Sequence, residues 1–108
     1  MDVREYIDTA GRAPFARWFD QLEANAASKV AIALIRMQQA NLSDVAGVGA
    51  GVYECRIHYG PGYRIYFGKD GDRLVILLGG GTKKRQQNDI TNAKILWADY
   101  KRRKKLET

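Results

Sequence analysis

Two arginines lie in the middle of neighbouring predicted strands, where most strands carry smaller polar side chains. Arg56 stands in the run VYECRIH and Arg64 in the run YRIYFG, with Gly-Pro-Gly at positions 60–62 between the two runs. Because side chains alternate between the faces of a strand, both arginines are expected on one face, within reach of each other if the turn is short. Each guanidinium group offers a planar fork of N–H donors to an anion. The pattern predicts an anion-binding site, and phosphate is the ligand that fits two guanidinium groups best.

A basic segment follows the next predicted strand and is expected to border the same face. Lys83, Lys84 and Arg85 come directly after the three glycines 79–81, which are predicted to end the strand 73–78. The GGGTKKR segment lacks the spacing of a nucleotide P-loop, so its glycines are interpreted as a sharp exit from the strand. The three cations would then form a basic rim around the two arginines.

Three other side chains are expected on the face that carries the arginines, namely Glu54, His58 and Tyr66. His58 could act as a general acid or base near neutral pH, although a single strand histidine is more often incidental. Glu54 could simply pair with one of the arginines, which would make this the solvated polar face of an antiparallel sheet. Both interpretations of the face, anion site and solvated surface, stay open at this point.

The positive charge of the chain is concentrated in its last quarter. Residues 1–82 contain nine Lys+Arg and nine Asp+Glu, whereas residues 83–108 contain nine and three, which accounts for the whole net charge of +6. Such an imbalance indicates a polyanionic partner, either nucleic acid or an acidic protein. For the KRRKK run at 101–105, a solvated and frayed tail is an equally good interpretation.

The length and composition of the chain exclude several classes of protein. The 108 residues predict a single domain over 1–108, and one cysteine with one histidine allows neither an internal disulfide nor a zinc cluster. No apolar run is long enough for a signal peptide or a membrane span. We therefore expect a cytoplasmic protein without a metal or an organic cofactor.

Apolar residues recur at helical spacing in three segments. Pro14 opens the first helix, Asn25 is predicted to separate it from a second at about 26–40, and Asn88 or Asp89 is predicted to cap the last. The apolar stripes are Phe15, Trp18, Phe19 and Leu22; Val30, Leu34 and Met37; and Ile90, Ala93, Trp97 and Tyr100. The short connection between the first two helices predicts a helical hairpin.

The remaining segments predict strands and loops. Residues 1–7 favour a short edge strand, and residues 41–51, rich in glycine and without a period, favour a loop. Residues 52–58, 63–68 and 73–78 predict an antiparallel meander, and the third of these strands, apolar on both faces, is predicted to be central and covered. The expected architecture is an α+β fold with helices on one side of an antiparallel sheet.

Three stretches of this sequence together resemble the RelE/ParE superfamily of bacterial type II toxins. They are VYECRIHYGPGYRIYF, LVILLGGGTKKRQQNDI and AKILWADYKRR, within a similarity that runs from about Phe15 to Arg103. The nearest branch is the HigB-like group of addiction-module killer proteins, also described as phage-derived Gp49-like proteins. The resemblance implies a RelE-like fold and a toxin held inactive by an antitoxin, usually a helix-turn-helix protein of the HigA-like kind.

In its RelE-like and HigB-like members the resemblance further implies cleavage of mRNA on the ribosome, without a metal and by attack of a ribose 2′-hydroxyl. Arg64 lies at the arginine position of the family's GYR motif, and Arg56 lies at a basic position of the preceding strand. Lys83, or alternatively Lys84, lies at the basic position that follows the last strand of the core. These are the implied catalytic residues Arg64, Arg56 and Lys83, with Lys84, Arg85, His58 and Tyr66 as RNA contacts. Departures from the pattern are Ile90 in place of a substrate-stacking tyrosine, Glu54 in place of a lysine, and no histidine near the C-terminus.

Two other functions are compatible with the same residues. ParE-like members of the superfamily inhibit DNA gyrase by binding and cut nothing, but a convergent basic sheet face has no obvious use in a pure binder. A non-catalytic RNA-binding module is the other possibility, although stacking platforms offer more outward aromatic side chains than are expected here.

Overall fold

The computed structural model describes residues 1–107, which form one mixed five-stranded sheet with helices packed on it. The elements are β1 (Asp2–Glu5), α1 (Pro14–Asp20), α2 (Ala24–Gln38), β2 (Val45–Gly49), β3 (Val52–Ile57), β4 (Tyr63–Asp70), β5 (Leu74–Thr82), a 3₁₀ turn (Lys83–Arg85) and α3 (Gln86–Leu106). The strand order is β1-β5-β4-β3-β2. All neighbouring strands are antiparallel except β1 and β5, which are parallel.

Helices cover both faces of the sheet, so the prediction of helices on one side was wrong. The α1 and α2 side buries Phe15, Val30, Met37, Ile65, Phe67 and Val75, among others. The α3 side buries Tyr6, Val52, Tyr66, Ile76, Leu78, Ile90, Ala93 and Trp97. The apolar run of β5 has one set of side chains in each of these cores, and a strand that is apolar on both faces needs a cover on both. The two apolar faces of β5 therefore already indicate a layer of helix on each side of the sheet.

The loop predicted at 41–51 contains a strand, β2, at the edge of the sheet. Val45 pairs with Cys55 and Ala46 with Glu54, and the ladder shifts at a bulge between Gly47 and Gly49. A tight turn with positive φ at Ala50 (55°) and Gly51 (80°) then leads into β3. Backbone hydrogen bonds hold this edge, and its small residues carry no alternating pattern that would have revealed it.

The first two helices pack on the sheet through different strands. α1 contacts mainly β5, whereas α2 contacts β1 and β3, and the direct hairpin contact between the helices stays a prediction. Asn25 does not separate them, because it lies inside α2. The cap is Glu23, whose carboxylate accepts hydrogen bonds from the backbone N–H of Ala26 at 2.7 Å and of Asn25 at 3.1 Å. A glutamate supplies the acceptor that a shorter side chain normally supplies.

The glycines 79–81 do not end β5, which continues through them to Thr82. Gly80 pairs with Ile65 and Gly81 with Arg64, after a bulge near Leu78. A Cβ on Gly80 would lie 2.3 Å from the Trp18 ring, and a Cβ on Gly81 would lie 1.9 Å from Asp89 Oδ2. The missing side chains let α1 and α3 approach the strand closely.

The last helix begins three to four residues earlier than predicted. α3 starts at Gln86 after the 3₁₀ turn, and neither Asn88 nor Asp89 caps it. Asp89 instead lies against Gly81 of β5. The stripe of Ile90, Ala93 and Trp97 is buried as predicted. Within residues 1–107, no helix combines the length and the apolar character needed to cross a membrane.

Candidate anion-binding site

The two strand arginines are direct cross-strand partners. Arg56 of β3 faces Arg64 of β4 in the antiparallel register. Directly opposed residues lie about 4.5–5.5 Å apart at their Cβ atoms, so both side chains leave the same face of the sheet close together. They differ in exposure, since the Arg56 side chain is 51% exposed and that of Arg64 only 12%.

A buried carboxylate holds the two arginines together. Glu54 is 1% exposed, and its Oε1 accepts a hydrogen bond from Arg56 Nε at 3.1 Å. Its Oε2 lies 3.4 Å from Arg64 Nε and accepts a hydrogen bond from Gln86 Nε2 at 3.0 Å. A buried carboxylate needs partners of this kind to offset its desolvation. One negative charge between two guanidinium groups fixes their spacing and leaves a net positive charge.

Arg64 is fixed at its outer end by the turn between β3 and β4. Its Nη1 donates to the carbonyl oxygen of Gly62 at 3.2 Å. A Cβ built on Gly62 would lie 3.5 Å from Lys83 Cβ and 3.7 Å from Arg64 Nη1. Lys83 and Arg64 therefore approach the same glycine, one from the 3₁₀ turn and the other from β4. The structure brings three of the predicted cations, Arg56, Arg64 and Lys83, to one corner of the sheet.

The other basic residues extend from this corner. Lys84 and Arg85 are exposed in the 3₁₀ turn that follows Lys83. Arg85 acts electrostatically on Asp89, which places its charge near the first turn of α3. His58 is separate from this group, because it lies beyond the end of β3, 75% exposed and 3.5 Å from Asp44 Oδ1.

Tyr66 does not lie on an open face, and the expectation that it would was wrong. It is 1% exposed because α3 packs over its end of β4. Burial raises the pKa of its hydroxyl to about 12, and the nearby carboxylates of Glu54 and Asp89 add to this increase. Tyr66 is therefore a neutral hydroxyl inside the protein, unable to stack on a base at the surface.

Of the two side chains that hold the arginines in place, the sequence indicated Glu54 and not Gln86. Gln86 precedes the predicted caps of the last helix, Asn88 and Asp89, but it lies at the start of α3 and donates to Glu54. The pairing of Glu54 with an arginine is confirmed, but Glu54 contacts both arginines and is their common anchor. The one sequence signal was the alternation that places Glu54 two residues from Arg56 on the same face.

Comparisons with known proteins point to one family. The model of the "Phage derived protein Gp49-like" family matches residues 17–102. An uncharacterized protein of Haemophilus influenzae is 40% identical over 83 residues, which is 76% of this chain and 84% of that protein. The family match covers β3, β4, β5 and the basic turn, which carry the arginine and lysine cluster. Gp49-like proteins are associated with the toxins of toxin–antitoxin systems, and this chain belongs to the Gp49-like family.

Proposed function

We propose that this protein is the toxin of a type II toxin–antitoxin system and that it is an endoribonuclease of mRNA acting at the ribosome. The observation that carries the proposal is the cross-strand pair of Arg56 and Arg64, held by Glu54 with Lys83 beside it. The proposed fold relationship is to the RelE-like and HigB-like toxins, and the proposed neutralising partner is a helix-turn-helix, HigA-like antitoxin.

The proposed reaction needs fixed positive charge at a phosphate. The 2′-oxygen of the ribose attacks phosphorus, the bond from phosphorus to O5′ breaks, and the products are a 2′,3′-cyclic phosphate and a 5′-hydroxyl. The proton of the 2′-hydroxyl leaves to a base, and a proton returns to O5′. Between these steps the phosphorane carries extra negative charge, and preorganised cations stabilise it without rearranging.

The cations have different proposed roles because their surroundings differ. Arg64 is nearly buried and held at both ends, by Glu54 and by Gly62 O, so it suits the stabilisation of the transition state. Arg56 is half exposed and suits the capture of a phosphate from solvent. The proposed role of Lys83 is to neutralise a second phosphate oxygen, and the proposed role of Lys84 and Arg85 is to extend the positive surface along the RNA. Tyr66 is buried and pairs across the sheet with Glu54, the anchor of both arginines.

Replacement of Arg64 tests the proposal most directly. Arg64→Ala should abolish growth inhibition on induction and lower RNA cleavage by about 10²–10³-fold, the typical effect of losing one transition-state donor. Arg17→Ala, which removes an exposed arginine from α1, is the matched control and should remain toxic. Mapping mRNA 5′ ends after induction, with and without the product of the neighbouring gene, reports cleavage and its relief. Intact transcripts with a DNA-damage response would instead indicate a gyrase inhibitor.

A further inference from the structure

A cleft lies beside the anion site, between α1, β5 and the first turns of α3. Its volume is about 320 Å³, which is enough for one planar heterocycle. The lining is mostly apolar, from Pro14, Trp18, Leu78, Ala93, Ile95 and Leu96, and its polar groups come from Tyr66, Asp89 and Asn92. Ligand sites commonly combine an apolar wall with a few placed polar groups in this way.

Two polar atoms of the lining residues are buried without a hydrogen-bond partner among residues 1–107. They are Tyr66 Oη and Asp89 Oδ2. A buried polar atom without a partner costs free energy, so such atoms call for a specific explanation. Asp89 Oδ2 is pressed against Gly81, and burial raises the pKa of this carboxyl. A ligand that offers an acceptor to the Tyr66 hydroxyl and a donor to Asp89 Oδ2 would satisfy both atoms.

The cleft and the anion site share a wall. Tyr66 lines the cleft and pairs across the sheet with Glu54, the anchor of the two arginines. Gly81 pairs with Arg64 on one side and contacts Asp89. Asn92 and the 61% exposed Ile95 form the rim of the cleft, and this rim is where a base next to a phosphate at Arg64 is expected to enter.

The chemistry of the lining favours guanine over the other bases. The Watson–Crick edge of guanine has two adjacent donors, N1–H and N2–H, next to the acceptor O6. A carboxylate accepts from both donors, and a hydroxyl or carboxamide donates to O6. Adenine, cytosine and uracil each place a ring or carbonyl acceptor where the carboxylate needs a donor. Trp18 supplies the aromatic wall that an unstacked base requires.

We propose that this cleft is a base-binding subsite that takes one unstacked guanine of the RNA, read by Asp89 with Tyr66 and Asn92 and packed against Trp18. The proposal rests on the proposed function in assigning the guanine to an RNA substrate. Binding of the base does not itself require cleavage, so the two are separable by experiment.

Nucleotide binding to the full chain tests the subsite. GMP, AMP, CMP and UMP are titrated while the indole N–H resonances of Trp18 and Trp97 are followed by NMR. Trp97 is 5% exposed and does not line the cleft, so it is the internal reference. GMP should shift the Trp18 resonance and bind about tenfold or more tightly than the other nucleotides, as expected of a bidentate base contact. Because all four share the phosphate, a difference among them reports the base.

Two variants identify the residues responsible. Asp89→Asn should remove the preference for GMP, and the matched control Asp72→Asn, in an exposed turn, should keep it. Gly79→Val should fill the cleft and abolish the GMP-dependent shift. A Cβ on Gly79 meets nothing within 4 Å and its φ is not positive, so this variant should fold.

The outcomes separate the subsite from the ribonuclease. Equal Trp18 shifts with all four nucleotides, no shift with any, or an unchanged preference in Asp89→Asn would overturn the guanine subsite. If GMP binds selectively but mRNA stays intact in the induced cells, the subsite stands and the ribonuclease fails. If mRNA is cleaved and no nucleotide binds selectively, the ribonuclease stands and the subsite fails.

Discussion

At the scale of single residues, Glu54 explains how two arginines can share one face of a sheet. Guanidinium groups on directly opposed strand positions repel each other. The carboxylate between them attracts both groups, and Gln86 at the start of α3 donates a further hydrogen bond to it. The sheet and the last helix are thus joined through the candidate site itself.

Replacing this carboxylate should cost stability as well as activity. Glu54→Gln keeps the shape but turns an N–H group toward a donor, so the free energy of unfolding should fall by about 1–3 kcal/mol. The half exposure of Arg56 keeps the loss below that of a fully buried pair. Urea denaturation gives the change, with Glu5→Gln at an exposed position of β1 as the control. Equal stability of Glu54→Gln and wild type would contradict this role.

The three consecutive glycines of β5 have different surroundings, and they should respond differently to one methyl group. Gly80→Ala forces a contact with the Trp18 ring and should lower the free energy of unfolding by about 1–3 kcal/mol. Gly79→Ala meets open space and should leave it unchanged or raise it by up to about 1 kcal/mol. Denaturation of the two variants side by side is the measurement, and equal losses would contradict the packing described here.

At the scale of elements, α3 is attached to the rest of the molecule along its whole length. Near its start Gln86 reaches Glu54, and near its end Tyr6 donates to Asp99 Oδ2 at 2.6 Å. Arg103 donates to the carbonyl oxygen of Ile7 at 2.7 Å, and Tyr100 donates to Asp70 at 2.5 Å. The basic run at 101–105 is therefore helical and anchored, in contrast to the frayed tail that was an equal alternative.

These attachments should weaken in acid. The hydrogen bond from Lys104 lowers the pKa of Asp70, and the hydrogen bond from Tyr6 lowers that of Asp99, both from an ordinary value of 3.8. A carboxyl with a lowered folded pKa contributes stability above its unfolded pKa and loses it as the pH falls through the folded value. Melting temperatures measured from about pH 5 to about pH 2 should fall less steeply for Asp70→Asn/Asp99→Asn than for wild type. Parallel curves for the two proteins would contradict the prediction.

The elements that could be predicted are those whose side chains show a period. The stripe of Ile90, Ala93 and Trp97 revealed α3, and the alternation in β3 and β4 gave the shared face of Arg56 and Arg64. β2 has only small residues at an edge, so nothing in its side chains distinguishes it from a loop. The cover over Tyr66 was missed for another reason, since alternation gives the face of a residue but not the layer packed on it.

The partners of the site depend on contacts that sequence spacing does not record. Gln86 is distant from Glu54 along the chain, and it reaches the carboxylate only because α3 begins close to β5. That approach depends in turn on the absence of a side chain at Gly81, where a Cβ would meet Asp89 of α3. Cations could be assigned to the site from the sequence, but the groups that orient them could not.

At the scale of the whole molecule, the excess positive charge of residues 83–108 divides into two parts. Lys83, Lys84 and Arg85 are exposed next to the arginine pair, whereas Arg103 and Lys104 are held in ion pairs with Asp99 and Asp70. Only the first group is placed to meet a phosphate backbone at the candidate site.

This division predicts a difference in the salt dependence of RNA binding. For single strands each neutralised phosphate contributes about 0.7 to the slope of log K against log salt concentration. Lys83→Gln/Lys84→Gln should make the slope shallower by about 1.4. Lys104→Gln should leave the slope unchanged. Affinities of a short single-stranded RNA over a range of salt concentrations give both values, and equal slopes for all three proteins would show that the charge of the 3₁₀ turn does not contact RNA.

The parallel pairing of β1 with β5 has a consequence for the order in which the chain matures. β1 is synthesised well before its ladder partners, Leu74 to Leu77, which follow both helices and three other strands along the chain. Residues 6 and 7 must wait still longer, until Asp99 and Arg103 have been synthesised. Contacts so distant along the chain form late and slowly. β1 therefore stays without its sheet partner until β5 has been made, and Tyr6 and Ile7 stay without their partners until most of α3 has been made.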